Sequence, residues 1–192
     1  MRQTTIARKT KETDIALTLN LDGTGKSDIS TGIGFFDHML TALAMHSGMD
    51  MMLTVKGDLE VDCHHTIEDT GIVLGKALGQ LLGDKGAIQR YGNFSVPMDE
   101  ALGVCYLDIS GRPFLVFQAQ FQNPSCGGYD CCMTEEFFRA VAVNAGITLH
   151  LSVPYGSNDH HKTEALFKAF AHALAQAMAP RSGGVLSTKG SL

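Results

Sequence analysis

The chain has 192 residues, of which 44% are hydrophobic, enough to bury the core of one ordinary domain or of two small fused units. A formal net charge of −5 excludes a broad cationic footprint for nucleic acid or an anionic membrane, so an anionic ligand must be met by a local pocket. The start, MRQTTIARKTKETD, has no apolar core for a signal sequence, and no run approaches the ~18 apolar residues that span a bilayer, which predicts a cytoplasmic protein.

The first clear strand lies in Glu12-TDIALTLNLD-Gly23 and ends in a glycine turn. The following Gly23-Thr-Gly-Lys-Ser27 imitates the end of a phosphate-binding loop, but that motif needs Gly at position 20 and a helix afterwards. Asn20 stands there and an extended segment follows, so a hairpin turn is predicted. GFFDHML opens a helix near Phe35-Phe36, with His38 at its start and His46 eight residues further along the same face. A short alternating strand over Gly48 to Val55 leads to VDCHHTIEDTGIVLGKALGQLL, an amphipathic helix that begins at His64, His65 and Glu68.

The polar, glycine-containing stretch from Arg90 to Ser95 predicts a boundary, and beyond it the order repeats. Glu100-ALGVCYLDIS-Gly111 matches the first strand in length. Phe137-Phe138 marks a helix, Gly146 to Val153 a strand, and HHKTE at 160 to 164 opens a helix 96 residues after HHTIE at 64 to 68. Measured from its Phe-Phe pair, the earlier helix runs four residues longer, about one turn. Internal duplication follows, with halves 1–94 and 95–192. The expected fold is α/β (α+β): two mixed four-stranded sheets flanking a central layer of four helices, because every sheet and helix must bury one apolar face. His150 falls on the polar side of its strand and His172 reads as an exposed helix residue. The five cysteines are odd in number and contain no CxxC pair, so reduced thiols are expected.

Residues four apart share a helix face and neighbours diverge by about 100°. His64 and Glu68 can therefore hold one ion while His65 points elsewhere, and the same applies to His160 and Glu164 with His161. If the halves pack about a pseudo-twofold axis, one cluster combines His160, Glu164 and His65, and its mate combines His64, Glu68 and His161. Imidazole plus carboxylate without thiolate suits Mn²⁺, Fe²⁺ or Zn²⁺, and the carboxylate share favours Mn²⁺. Helix capping by these side chains is the plainer alternative; the second copy in register favours metal. His38 is a further ligand candidate, placed by its helix start near the His64 end.

Glu12-Thr13, GFFDHML, the two HHxxE elements, Gly111-Arg-Pro113, NDHHKTEALFKAFAHAL and the terminal STKG together resemble the imidazoleglycerol-phosphate dehydratase family of histidine biosynthesis. The resemblance implies a lyase that dehydrates imidazole glycerol phosphate to imidazole acetol phosphate with two Mn²⁺ ions. It assigns one ion to His38, His65, His160 and Glu164, and the other to His64, Glu68 and His161. Many members carry a further ligating histidine just before the second Phe-Phe pair; here Glu136 occupies that place, beside Glu135. Arg90, Arg112, Lys168 and Lys189 match phosphate-contacting positions, with Ser187 and Thr188 adding hydroxyl donors. His46, Glu12 and the metal-site residues complete the implied substrate-binding set.

The implied chemistry is loss of the ring proton from an imidazole bridging two cations, expulsion of the C3 hydroxyl to a diazafulvene, and removal of the C2 proton. Glu12 is the expected proton carrier, and Glu164 a ligand that also handles a proton. The family further implies a homo-oligomer of twenty-four chains with sites between subunits, and no nucleic-acid or membrane partner. Two rival readings are a non-catalytic metal-binding protein, which explains the histidines but neither Glu12 nor the Arg and Lys set, and a hydrolase using the same ions.

Overall fold

The structure, a computed structural model, describes residues 2–190. The first unit comprises β1 (Gln3–Lys9), β2 (Thr13–Asn20), β3 (Ser27–Ser30), α1 (Gly34–Ser47), β4 (Asp50–Gly57) and α2 (His64–Leu82). The second comprises β5 (Tyr91–Met98), β6 (Ala101–Asp108), β7 (Phe114–Gln118), the short β8 (Ser125–Cys126) and β9 (Tyr129–Asp130), then α3 (Met133–Ala145), β10 (Thr148–Ser152) and α4 (Asp159–Met178). The expected seam at Arg90 to Ser95 lies at the start of β5.

The two large sheets have one topology, β1-β2-β4-β3 and β5-β6-β10-β7. Each is mixed: β3 pairs parallel with β4 and β7 parallel with β10, and the other pairings are antiparallel. Alternation along the central strands sends one face inward. Ile15, Leu17 and Leu19 stand opposite Val55, Leu53 and Met51, while Cys105 and Leu107 stand opposite Leu151 and Leu149. All of these are buried under the helices.

Helix partners are exchanged between the units: α1 packs on α4 and α2 on α3. The second contact is close because it is made through glycine, and a Cβ added to Gly71 or Gly75 would stand 2.7 Å from the Phe137 carbonyl oxygen or 2.8 Å from that of Val141. Gly71 beside Phe137 and Gly75 beside Val141 mean that α2 and α3 run in the same direction. His38 beside Glu164 and His46 beside His172 show the same for α1 and α4. Ring contacts from Phe35 to Tyr129 (5.3 Å) and Phe36 to Phe137 (5.4 Å) tie the start of α1 to that of α3. All four helices therefore begin at one end of the molecule, where the paired histidines are.

Three sequence expectations are corrected. Gly23 to Ser27 is not a hairpin turn, since β4 lies between β2 and β3; the stretch is a crossover loop fixed by Asp50, whose Oδ1 accepts the N–H groups of Thr24 (2.8 Å) and Lys26 (3.0 Å). The missing turn of α3 is present at its other end. Four residues, Met133 to Glu136, precede the second Phe-Phe pair inside the helix, so α1 and α3 measure 14 and 13 residues. His172 is half-buried rather than exposed: its Nε2 lies 3.1 Å from Nδ1 of His46 and its ring stacks on Phe94 at 4.4 Å. The five cysteines are free thiols, and no helix among the described residues is long and apolar enough to cross a membrane.

Candidate metal centre and anion cavity

The Asn158 side chain caps α4 by accepting from the N–H groups of His160 (2.9 Å) and His161 (3.3 Å), which fixes the first turn. One turn on, Oε2 of Glu164 lies 3.1 Å from Nε2 of His160 and 3.5 Å from Nε2 of His38, which α1 delivers from across the helix pair. One ligand atom from each of these three residues falls within 4.8 Å of the others. Phe35 supports the His160 ring edge-on at 4.9 Å. Glu164 is buried, at 7% side-chain exposure, whereas His38 and His160 open to solvent. Burial alone would push the Glu164 carboxyl up, but the Lys168 ammonium at 2.8 Å, with His38 and His160, holds it below the usual range. A buried ionised carboxylate beside two imidazole nitrogens fits a hard divalent cation.

The remaining candidates stand apart from this cluster within the chain. Among the described residues no other group of three possible ligands converges. His64 Nε2 lies 3.4 Å from Glu68 Oε2 on α2. His65 is not with Glu164: its Nδ1 meets Asp58 at 3.0 Å and its Nε2 faces Glu12 at 3.8 Å. His161 is not with His64: its Nδ1 meets Glu100 at 2.8 Å. The Asp58 hydrogen bond raises the pKa of His65, as the Glu100 bond raises that of His161. Glu100 is in turn held far below the usual carboxylate range, first by His161 and then by the backbone N–H groups of Asn158 and Ser157. His38 lies at the end where all four helices begin, and because α1 packs on α4 its partner there is Glu164. Glu135 and Glu136 both face Arg139 on their own helix.

A second locus is a cavity of about 890 Å³ lined by Arg90, Arg112, Arg181, Ser187, Thr188 and Lys189. Arg90 sits at φ 73°, rare for a residue with a side chain, and is buried. Its guanidinium spans Asp108, at 2.6 and 2.9 Å, and the Leu186 carbonyl at 2.5 Å, which draws the C-terminal segment over the cavity. The Asp108 bonds raise its pKa further, so it stays charged. Lys168 does not line this cavity; its ammonium is spent on Glu164. Sequence reasoning overlooked Arg181, although it is one of only two cations after Lys168. Asp58 and Glu100 were overlooked as histidine partners. The match of Glu100 to Glu12 in the repeat was the available signal.

A model of the imidazoleglycerol-phosphate dehydratase family matches residues 31–174. The chain belongs to the imidazoleglycerol-phosphate dehydratase family. Its relatives named imidazoleglycerol-phosphate dehydratase include that of Acetivibrio thermocellus, 57% identical over 100% of this chain and 99% of the relative, and that of Lactococcus lactis subsp. cremoris strain MG1363, 58% identical over 100% of both. Among solved structures, the Staphylococcus aureus dehydratase superposes with a TM-score of 0.85 at 40% identity, covering 93% of this chain and 99% of that one. The Pyrococcus furiosus enzyme, solved in complex with (S)-C348, gives 0.85 at 38% identity over 97% and 100%. The chain is thus a hydro-lyase with a dehydratase role in histidine biosynthesis, and its fold is that of the solved family members. Family membership disposes of the hydrolase and the non-catalytic metal-binding readings.

Proposed function

We propose that this chain dehydrates imidazole glycerol phosphate to imidazole acetol phosphate in the cytoplasm, using two Mn²⁺ ions in sites shared between copies of a homo-oligomer. The observation that carries this reading is the convergence of His38, His160 and Glu164 at one end of the helix layer. When bound, the divalent cations supply Lewis acidity to the imidazole ring and ease loss of its N–H proton.

The chain's own residues account for the remaining work. Arg112, Arg181 and Lys189, with the Ser187 and Thr188 hydroxyls, can hold the phosphate dianion by charge-assisted bonds, while Arg90 keeps the tail in place. Anchoring at both ends aligns the reacting carbons. Glu12, half-exposed beside His65, protonates the departing C3 hydroxyl. Glu164, ionised and within reach of two imidazoles, takes part in removing the C2 proton.

The dispersed ligands support assembly. His65 is turned to Asp58 and Glu12 in its own chain, so the four-residue set His38, His65, His160 and Glu164 is completed by another copy, and His64, Glu68 and His161 behave likewise. Glu136 supplies a further oxygen to the second ion. A twenty-four-chain particle built from duplicated halves 1–94 and 95–192 meets this need. The test is turnover of imidazole glycerol phosphate with and without a chelator, with elemental analysis for the ion and sedimentation for the particle. Full turnover by a metal-depleted monomer would overturn the reading.

A further inference from the structure

The repeat places Glu12 and Glu100 at corresponding positions, each immediately before the second strand of its sheet. They nevertheless treat their histidines differently. Oε2 of Glu100 takes Nδ1 of His161 at 2.8 Å, and its Oε1 accepts the N–H groups of Ser157 (3.0 Å) and Asn158 (2.7 Å) and the Ser157 hydroxyl (3.2 Å). Glu12 faces the opposite nitrogen of His65, Nε2, at 3.8 Å, and its carboxylate accepts no hydrogen bond among the described residues. The Nδ1 of His65 is held instead by both oxygens of Asp58, at 3.0 and 3.2 Å.

We propose that the duplicated carboxylate has divided its work: Glu100 and Asp58 are positioning residues that fix the tautomer and ring orientation of His161 and His65. Glu12, whose place at Nδ1 is filled by Asp58, keeps a free carboxylate. A neutral imidazole that donates Nδ1–H to a carboxylate presents a bare Nε2 lone pair, the form that binds a divalent cation. In both halves the held nitrogen is Nδ1, and Nε2 makes no hydrogen bond but faces a carboxylate beyond hydrogen-bond distance, Glu12 at 3.8 Å from His65 and Asp99 at 3.7 Å from His161. Glu12 therefore borders the edge of His65 that meets cation and substrate, whereas Glu100 stands behind His161. This inference rests on the reading of His65 and His161 as cation ligands.

The two positioning residues differ in a way that sharpens the test. In Glu100→Gln the remaining oxygen can stay on Ser157 and Asn158, but the amide nitrogen replaces the oxygen that accepts from His161 and cannot accept a hydrogen bond. In Asp58→Asn one of the two oxygens still serves His65. Binding of Mn²⁺ to the metal-depleted, folded full-length protein, read from the free-ion resonance spectrum, is expected to weaken about 10- to 100-fold in Glu100→Gln. It should weaken less in Asp58→Asn, by the larger factor again in Asp58→Ala, and not at all in Glu12→Gln, which loses kcat instead. Asp58→Ala leaves the start of α4 untouched and serves if Glu100→Gln fails to fold. Wild-type Mn²⁺ affinity in folded Glu100→Gln or in Asp58→Ala, alongside weakened binding in His161→Ala and His65→Ala, overturns the positioning roles alone. Wild-type affinity in His161→Ala and His65→Ala overturns the ligand reading beneath them.

Discussion

Lys168 and Glu164, one turn apart on α4, share a hydrogen-bonded ion pair of 2.8 Å in which Lys168 occupies one carboxylate oxygen and leaves the other to His160 and His38. In the metal-free protein this ammonium is the nearest full positive charge to a buried carboxylate. Lys168→Met removes it at similar length. The unpaired carboxylate should cost the metal-free protein about 1–3 kcal/mol, while the ion, no longer opposed by a neighbouring cation, recovers that loss on binding. The expected result is a wider gap between the melting temperatures of chelated and Mn²⁺-loaded protein than in the wild type. An unchanged gap would contradict the compensation argued for this pair.

The His46 and His172 pair couples pH to the α1 and α4 contact. Burial lowers the pKa of His46, with His172 and Lys168 adding to the effect and Glu164 opposing it, and burial lowers that of His172. A histidine with a depressed folded pKa contributes stability that is present above the unfolded value near 6.5, and loses it as pH falls through the folded value. His172→Phe keeps an aromatic ring against Phe94 and removes one titrating group. Urea midpoints between pH 7.5 and 5 should fall less steeply in His172→Phe than in the wild type. Equal slopes would show that this pair does not carry the dependence.

The central strands and all four helices were legible in the sequence because burial imposes period 2 on β2, β4, β6 and β10 and period 3.6 on the helices. β1 and β5, at sheet edges, alternate only between exposed and half-buried residues or barely alternate at all, so their pattern is weak. The HHxxE spacing gave His64 with Glu68 and His160 with Glu164, since those pairs are local. What joins His38 to Glu164 is not local. It depends on α1 packing against the helix of the other half, which no single-element periodicity encodes. The same limit hid Arg181: its place beside Arg90 follows from the backbone of Ala177 to Arg181 pairing with Ala87 to Arg90.

On the proposed reading, the cavity lined by Arg90, Arg112 and Arg181 separates charge that binds from charge that builds. Arg112 is 68% exposed and only 3.9 Å from Asp108 at its closest, while Arg181 has no carboxylate within ion-pair distance among the described residues. Arg112→Ala and Arg181→Ala should each raise KM for the phosphorylated substrate roughly tenfold, the loss of one charge-assisted hydrogen bond of about 1.5 kcal/mol, with kcat largely kept. Arg90 differs because three of its donors are committed to Asp108 and Leu186. Arg90→Lys retains the charge but cannot bridge both, so the segment carrying Ser187, Thr188 and Lys189 should detach. Limited trypsin digestion should then cut after Lys189 and Arg181 faster than in the wild type, with KM rising beyond that of either alanine variant. A resistant tail in Arg90→Lys would contradict its role in holding the segment, and an unaltered KM in both alanine variants would remove the cavity from phosphate binding.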